Sequence, residues 1–317
     1  MSSQAFNADE LEAQSRAGTR PGSGGIRNFM PEQHRSFFPG IPEIFVATVD
    51  ADGWPLATVL DGEPGFVHSP DPKTLRIDVR PESSDPAAGM LRVGGDVGVL
   101  GIDLGTRRRN RVNGIVTELD TAGFTIAVKE SFGNCPQYIQ RRALQRADAA
   151  GEGVRTLTTP DDCARELIER ADTFFVASHS SASLGSSGGA DISHRGGRPG
   201  FVRVDGNVLS IPDFRGNGYF NTLGNLLGEP RCALLFVDFE SGDVIQLQGR
   251  ARIDWSPAER VAGTERVWHF HMARGWYRPR AAAMRGELID YSPVTLRTGT
   301  WVAGAGLNPA DRIASPL

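Results

Sequence analysis

One phrase is written twice in this chain: GEPGFV at residues 62–67 returns as GRPGFV at 197–202, an offset of 135. A chance match would not carry its neighbours with it, and here it does. FVAT at 45–48 faces FVAS at 175–178, TLRIDV at 74–79 faces VLSIPD at 208–213, and GIDLGTRRRNRVNG at 101–114 faces FVDFESGDVIQLQG at 236–249. The last pair keeps Asp103 opposite Asp238 and Gly114 opposite Gly249. The first pair runs at a shorter offset, which places a loop-sized insertion, SSASLGSSGG, at 180–189 of the second copy. Four blocks in one order predict two copies of one fold, and 317 residues suit two domains.

The matched blocks are short runs of Val, Ile, Leu and Phe punctuated by Gly, Pro and Asp, as in VGVLGIDLG and CALLFVDFESGDVIQLQGRARID. That pattern predicts antiparallel strands closing a barrel in each copy. Helices are expected between them. TTPDDCARELIER has a capping Thr159 before Pro160, DWSPAERVAGTERVWHFH has Ser256 before Pro257, and PQYIQRRALQRADAAG ends at Gly151. The organisation read from this is a mobile N-terminal arm at 1–35, a first copy at 36–150, and a second copy at 151–317 with a C-terminal helix and tail. The arm, with its SRAGTRPGSGG stretch, is expected to drape over a partner subunit, and a homodimer is the candidate assembly.

A net charge of −4 gives no general attraction to nucleic acid or anionic membrane, so any basic site is local. No apolar run approaches the roughly 18 residues of a membrane span, and residues 1–30 lack the apolar core of a signal peptide. Cys135, Cys163 and Cys232 fall in no metal-binding spacing, and an odd count suits free thiols in a reducing compartment. A cytoplasmic location is expected.

Shared letters in a repeat report the fold, while divergent letters report what each copy does. His194, Arg195 and Arg198 of the second copy face Val59, Leu60 and Glu63 of the first. Asn217, Asn221 and Asn225 recur every four residues, which on a helix is one face, where the first copy has Glu82, Pro86 and Met90. Arginine forks, amide donors and a helix start are what a phosphate requires. The first copy instead holds the arginines of GTRRRNRVNG, Arg107, Arg108, Arg109 and Arg111, opposite a stretch containing Asp243. If the copies pack against each other, one phosphate-bearing ligand is held by the second copy and closed over by Arg109 and Arg111 of the first, giving one strong site per chain. Standing alone, the arginine run reads as a solvated turn and the asparagines as caps and turn residues. His269 and His271, two apart in an expected helix, point away from each other, which argues against a metal site. Cys135 in FGNCPQY has no base near it in sequence, so no catalytic residue is singled out.

The stretch ADTFFVAS…GADISHRGGRPGFVRVDGNVLSIPDFRGNGYFNTLGNLLGEPRCALLFVDFESGDVIQLQGRARI resembles the FMN-binding split-barrel family related to pyridoxamine 5′-phosphate oxidase, in particular its duplicated bacterial flavin-nucleotide-binding branch. RRRNRVNG and FGNCPQYIQRR resemble the same branch. The resemblance implies a mainly β fold with flanking helices (α+β): two tandem six-stranded antiparallel split barrels forming a pseudo-dimer, with FMN at the seam. It implies that His194, Arg195, Arg198, Asn217, Asn221 and Asn225 take the phosphate and that Gln246 and Gln248 reach the ring or ribityl chain. Arg215, Gly216 and Asn217 stand where the typical oxidases carry Ser or Lys, and no counterpart of their substrate-phosphate residues is found. The function implied is an FMN-dependent oxidoreductase acting on a small planar substrate, with NAD(P)H as a candidate electron donor. The alternative is a non-catalytic protein that binds or senses flavin or haem.

Overall fold

A computed structural model of the chain describes residues 6–20, 25–147, 153–181, 183–184 and 188–301. The protein is mainly β. The first sheet contains β1 (Glu43–Val49), β2 (Pro55–Asp61), β3 (Val67–Asp71), β4 (Thr74–Ile77), β5 (Asp96–Asp103), β6 (Arg108–Leu119) and β7 (Phe124–Gly133). After short strands β8 (Arg141–Arg142), β9 (Gln145–Arg146) and β10 (Arg155–Leu157), the second contains β11 (Thr173–His179), β12 (Ala190–Gly196), β13 (Arg203–Asp205), β14 (Val208–Phe214), β15 (Arg231–Val237), β16 (Val244–Asp254) and β17 (Thr264–Arg278). The orders are β2-β1-β5-β6-β7-β4-β3 and β12-β11-β15-β16-β17-β14-β13, with β10 added beside β17, so the two sheets follow one strand path. They have seven and eight strands rather than the expected six.

The central strands show why. All seven residues of β1 are buried, as a continuous apolar run buried on both faces requires. Because successive side chains alternate, Ile44 and Val46 enter the core of the first sheet, while Phe45 and Ala47 enter a cluster shared with the second. The second sheet repeats the arrangement: Phe174 and Val176 face its own core, Phe175 and Ala177 the shared one. Phe45 and Phe175 stack there with ring centroids 3.5 Å apart. Each sheet thus has its own core, and a third joins them along a seam. The repeat also keeps its irregularities: β6 bulges at Asn113/Gly114 and β16 at Gln248/Gly249. A Cβ on Gly114 would strike the Ala127 carbonyl and one on Gly249 the His271 carbonyl, which explains why both copies keep glycine there.

Of the expected helices, α3 (Asp162–Arg170) forms, with Asp161 rather than Thr159 as its cap, accepting from the Ala164 N–H. Residues 256–271 are not helical: β17 begins at Thr264, and Trp268, Phe270 and Met272 alternate with His269 and His271 across the sheet. The two histidines therefore lie on the same face, against the expectation, and His269 Nδ1 contacts Ser210 Oγ at 3.0 Å. Residues 136–147 form β8 and β9, which pair with β19 (Leu288–Asp290) and β18 (Met284–Arg285). Among the described residues the segment beyond β17 has no α-helix, only a 3₁₀ turn at Thr295–Arg297. The end of the Gly151 helix, part of the SSASLGSSGG insertion and the tail after Trp301 lie outside the described residues.

The described part of the N-terminal arm contains helix. Asn7 and Glu10 form a reciprocal capping box that starts α1 (Ala8–Arg16). This helix packs against α4 (Asn221–Gly228) of its own chain, with Phe6 edge-on to Tyr219 and Gln14 donating to the Tyr219 carbonyl. A short helix α2 (Glu32–Arg35) follows. Among the described residues no helix is long and apolar enough to cross a membrane.

Glu43 at the head of β1 is fully buried and neither carboxylate oxygen has a hydrogen-bond partner. Burial, with the Asp61 charge adding to it, pushes its pKa to about 8. An acid whose folded pKa exceeds its unfolded value stabilises the fold in its protonated form, so this contribution is complete below the unfolded pKa and is lost as pH rises toward the folded one. Urea unfolding is expected to show about 2 kcal/mol less stability at pH 7.5 than at pH 6 from this group. Glu43→Gln should abolish that slope; an unchanged slope would assign the pH dependence elsewhere.

Candidate functional site

A cavity of about 130 Å³ opens at the seam, walled by β6 of the first sheet, by β12 and β14 of the second, and by the start of α4. Six of the ten residues singled out in the sequence line it: Arg109, Arg111, His194, Arg195, Asn217 and Asn221. The solvated-turn reading of the arginine run holds only in part. Arg107, at φ 59°, closes the turn, donates to the Ile139 carbonyl and pairs with Asp290, while Arg108 is exposed. Arg109 and Arg111, two apart on β6, share the face that looks into the cavity.

Their electrostatic settings differ. Arg111 is buried and donates to Asp191 Oδ1 at 2.8 Å and to Ser193 Oγ at 2.9 Å. Arg195 and Arg266 both pair with Asp213, and Arg266 also with Glu265. Arg109, half-buried with its Nε enclosed, has no carboxylate partner among the described residues. It donates to the Cys135 carbonyl at 2.7 Å and faces His194 Nδ1 at 3.2 Å. Burial and the neighbouring Arg111 charge lower its pKa to about 9, so it stays cationic at neutral pH. His194 is held well below its usual pKa by burial and by Arg109. A guanidinium only donates, so Nδ1 accepts, and the neutral ring carries its proton on Nε2, which has no acceptor among the described residues.

The backbone adds to this. α4 starts after Phe220, which has φ 62° and offers no side-chain cap, so the first turn of the helix borders the cavity unshielded. Tyr138, on the opposite wall, also has a positive φ of 63°. Two bulky residues held in the left-handed region cost of order 1–3 kcal/mol each, a cost that concentrates at functional sites. Four arginines and one carboxylate, Asp213, line the cavity, which gives it a positively charged lining.

Four singled-out residues lie elsewhere. Asn217 precedes α4, so the three asparagines do not form one helix face: Asn217 accepts from the Tyr219 N–H, Asn221 donates to Glu10, and Asn225, outside the cavity, donates to Ser178 Oγ. Arg198 sits in the turn after β12 and does not line the cavity. Gln246 and Gln248 are fully buried at the other end of the seam, where Gln246 donates to the Ala57 carbonyl and Asp85, and Gln248 to the Pro55 carbonyl. The reason is register. At the offset of 135, Gln246 is the counterpart of Arg111, and each reaches across the seam to a strand of the opposite half. Arg266, Asp213, Ser193 and Thr222 line the cavity without having been singled out. The Ser193-His194-Arg195 run of β12 carried a signal, whereas Arg266 lay in a segment read as helix.

The residues were tested against a flavin nucleotide. The phosphate fits: an unpaired guanidinium, a second imidazole donor and an uncapped helix start converge on one cavity. At about 130 Å³ the cavity is smaller than the roughly 300–1,000 Å³ of whole-cofactor pockets, so it has room for a head group and the rest of such a ligand would lie outside it. Among the described residues no cluster of three or more His, Cys, Asp or Glu is arranged to hold a metal.

No protein-family model matches the sequence, and no curated protein matches it. Solved structures similar to it include HupZ from Group A Streptococcus, with 13% identity over 42% of this chain and 98% of that one, at a TM-score of 0.28. A candidate pyridoxamine 5′-phosphate oxidase from Lactobacillus delbrueckii is 23% identical over 33% of this chain and 95% of that one, at a TM-score of 0.27. A Clostridium acetobutylicum protein of the pyridoxinephosphate oxidase family, related to general stress protein 26, is 15% identical over 39% and 90%, at a TM-score of 0.25.

Proposed function

We propose that the protein is a flavoprotein that anchors FMN by its phosphate in the seam cavity, with both sequence copies contributing, and that it is an oxidoreductase of a small planar substrate with NAD(P)H as electron donor. The observation that carries the reading is Arg109, a cation placed against a cavity with no protein carboxylate to neutralise it. Arg109, His194 through Nε2–H and the start of α4 would hold the phosphate, with Arg195 at its edge. When bound, the flavin supplies hydride and electron transfer. The protein contributes orientation and a fixed positive field; His194, neutral and half-enclosed by arginines, serves as a donor rather than as a proton shuttle.

The test is a titration of the purified protein with FMN and with riboflavin, followed by NADH oxidation by the loaded protein. Phosphate anchoring predicts that FMN binds about 10-fold or more tighter than riboflavin. Equal affinities would remove the phosphate site. FMN binding without NAD(P)H turnover would leave a flavin-binding protein and remove the reductase.

A further inference from the structure

A larger cavity, of about 590 Å³, lies between the N-terminal helix and the sheets, on the far side of the Arg111–Asp191 pair from the anion site. Its size is within the range of small-molecule pockets. Phe6 and Leu11 give it an apolar side. Its polar side includes Glu10 from α1, whose oxygens accept from the Asn7 N–H and the Asn221 amide, Glu130 from β7 and Asn113 from β6, together with Asp191, Lys129 and Arg27. Asn113 is only 8% exposed; its amide donates to Glu130 and Asp191, and its Oδ1 has no donor. We propose that this cavity is a binding site for a small organic cation with an apolar body, an amine or amidine whose N–H groups are taken by Glu10, Glu130 and Asn113. This goes beyond the flavin reading and does not depend on it.

The surrounding charges support the choice. Asp191 is neutralised by Arg111, and Lys129 is held by Asp96, which also faces His179. Arg27 lies on the exposed rim, and α4 contributes only the amides of Asn221 and Asn225. Among the described residues neither Glu10 nor Glu130 has a direct ion-pair partner; the Arg111 and Lys129 charges reach Glu130 only from their own pairs with Asp191 and Asp96. Burial raises both pKa values, that of Glu10 to about 7, and the Glu130 charge raises Glu10 further. A cation entering between them reverses both effects. Since the described residues hold no metal-type cluster, and the walls are part apolar, an organic cation fits better than an ion.

The probe is benzamidine, with neutral, isosteric benzamide as control, measured by calorimetry on the flavin-free full chain. Benzamidine is expected to bind at pH 8 with a dissociation constant of about 1 mM or tighter, at least about 10-fold more tightly than benzamide. At pH 5.5, where Glu10 holds its proton, binding should weaken about 10-fold or more, and near pH 7 it should release protons. Glu130→Gln, whose amide oxygen can still accept from Asn113, should weaken benzamidine at least about 10-fold and leave benzamide unchanged. Equal binding of the two probes, or full affinity in Glu130→Gln with native circular dichroism, would overturn the proposal, as would the absence of benzamidine binding at pH 8.

Discussion

Replacing Arg109 by Met is expected to weaken FMN binding by about 30-fold or more while raising the melting temperature of the flavin-free protein. The first effect follows from removing one partner of a charge-assisted contact, which costs about 2 kcal/mol or more. The second follows from the absence of a carboxylate beside Arg109 among the described residues: its desolvation is offset only by neutral partners, the Cys135 carbonyl and His194, until an anion arrives, so an apolar side chain of similar length relieves the cavity of a buried charge. A rise of about 2 °C or more is expected. Fluorescence-detected melting with and without FMN reads both effects in one experiment. A variant that melts lower and binds FMN normally would make Arg109 a structural residue and leave the cavity without its anchor.

Replacing Asp85 by Ala should have the largest effect on stability, about 3–5 kcal/mol. Asp85 is buried at the other end of the seam, where it pairs with Arg278 at 2.7 Å, accepts from Gln246 at 3.0 Å and from the Ala87 N–H at 2.8 Å, and receives the Thr58 hydroxyl. Thr58 and Gln246 are the repeat counterparts of Ser193 and Arg111, so this carboxylate occupies, from within the chain, the position corresponding to the anion site. Its removal leaves the Arg278 guanidinium buried and unpaired. Urea unfolding should therefore show a large loss that the double replacement Asp85→Ala with Arg278→Met substantially recovers, and that added inorganic phosphate partly restores in the single variant. A loss under about 1 kcal/mol would mean that the network contributes little and that the two ends of the seam differ for another reason.

Much of this was legible in the repeat. The matched pairs Phe45/Phe175 and Gly114/Gly249 lie at the seam and at the bulges, and the divergent His194 and Arg195 on one wall and Arg109 on the other line the cavity. What the sequence hid were pairings between distant segments. Residues 136–147 carry a helix-like polar pattern, yet β8 and β9 are extended because they pair with strands near 284–290, which no local window reveals. Residues 264–278 show a period of two in Val267, His269 and His271 against Trp268, Phe270 and Met272, but the Ser256-Pro257 capping signal ahead of them outweighed it. The family resemblance implies that Gln246 and Gln248 reach the ligand; the match of their strand to β6, read across the seam, assigns them to the opposite end.

The pairing of β8 and β9 also sets an order of assembly during synthesis. Tyr138 and Cys135 wall the anion cavity, and Gln140, just beyond them, is fully buried with its side chain donating to Thr295 Oγ1 and accepting from the Ser292 N–H. On a ribosome that adds one residue at a time, these partners emerge some hundred and fifty residues after Gln140. Until then the wall has nothing to fasten to. Closure of this wall therefore waits until residues 292–295 have been made, so on the flavin reading a chain that stops before them could not complete the FMN site.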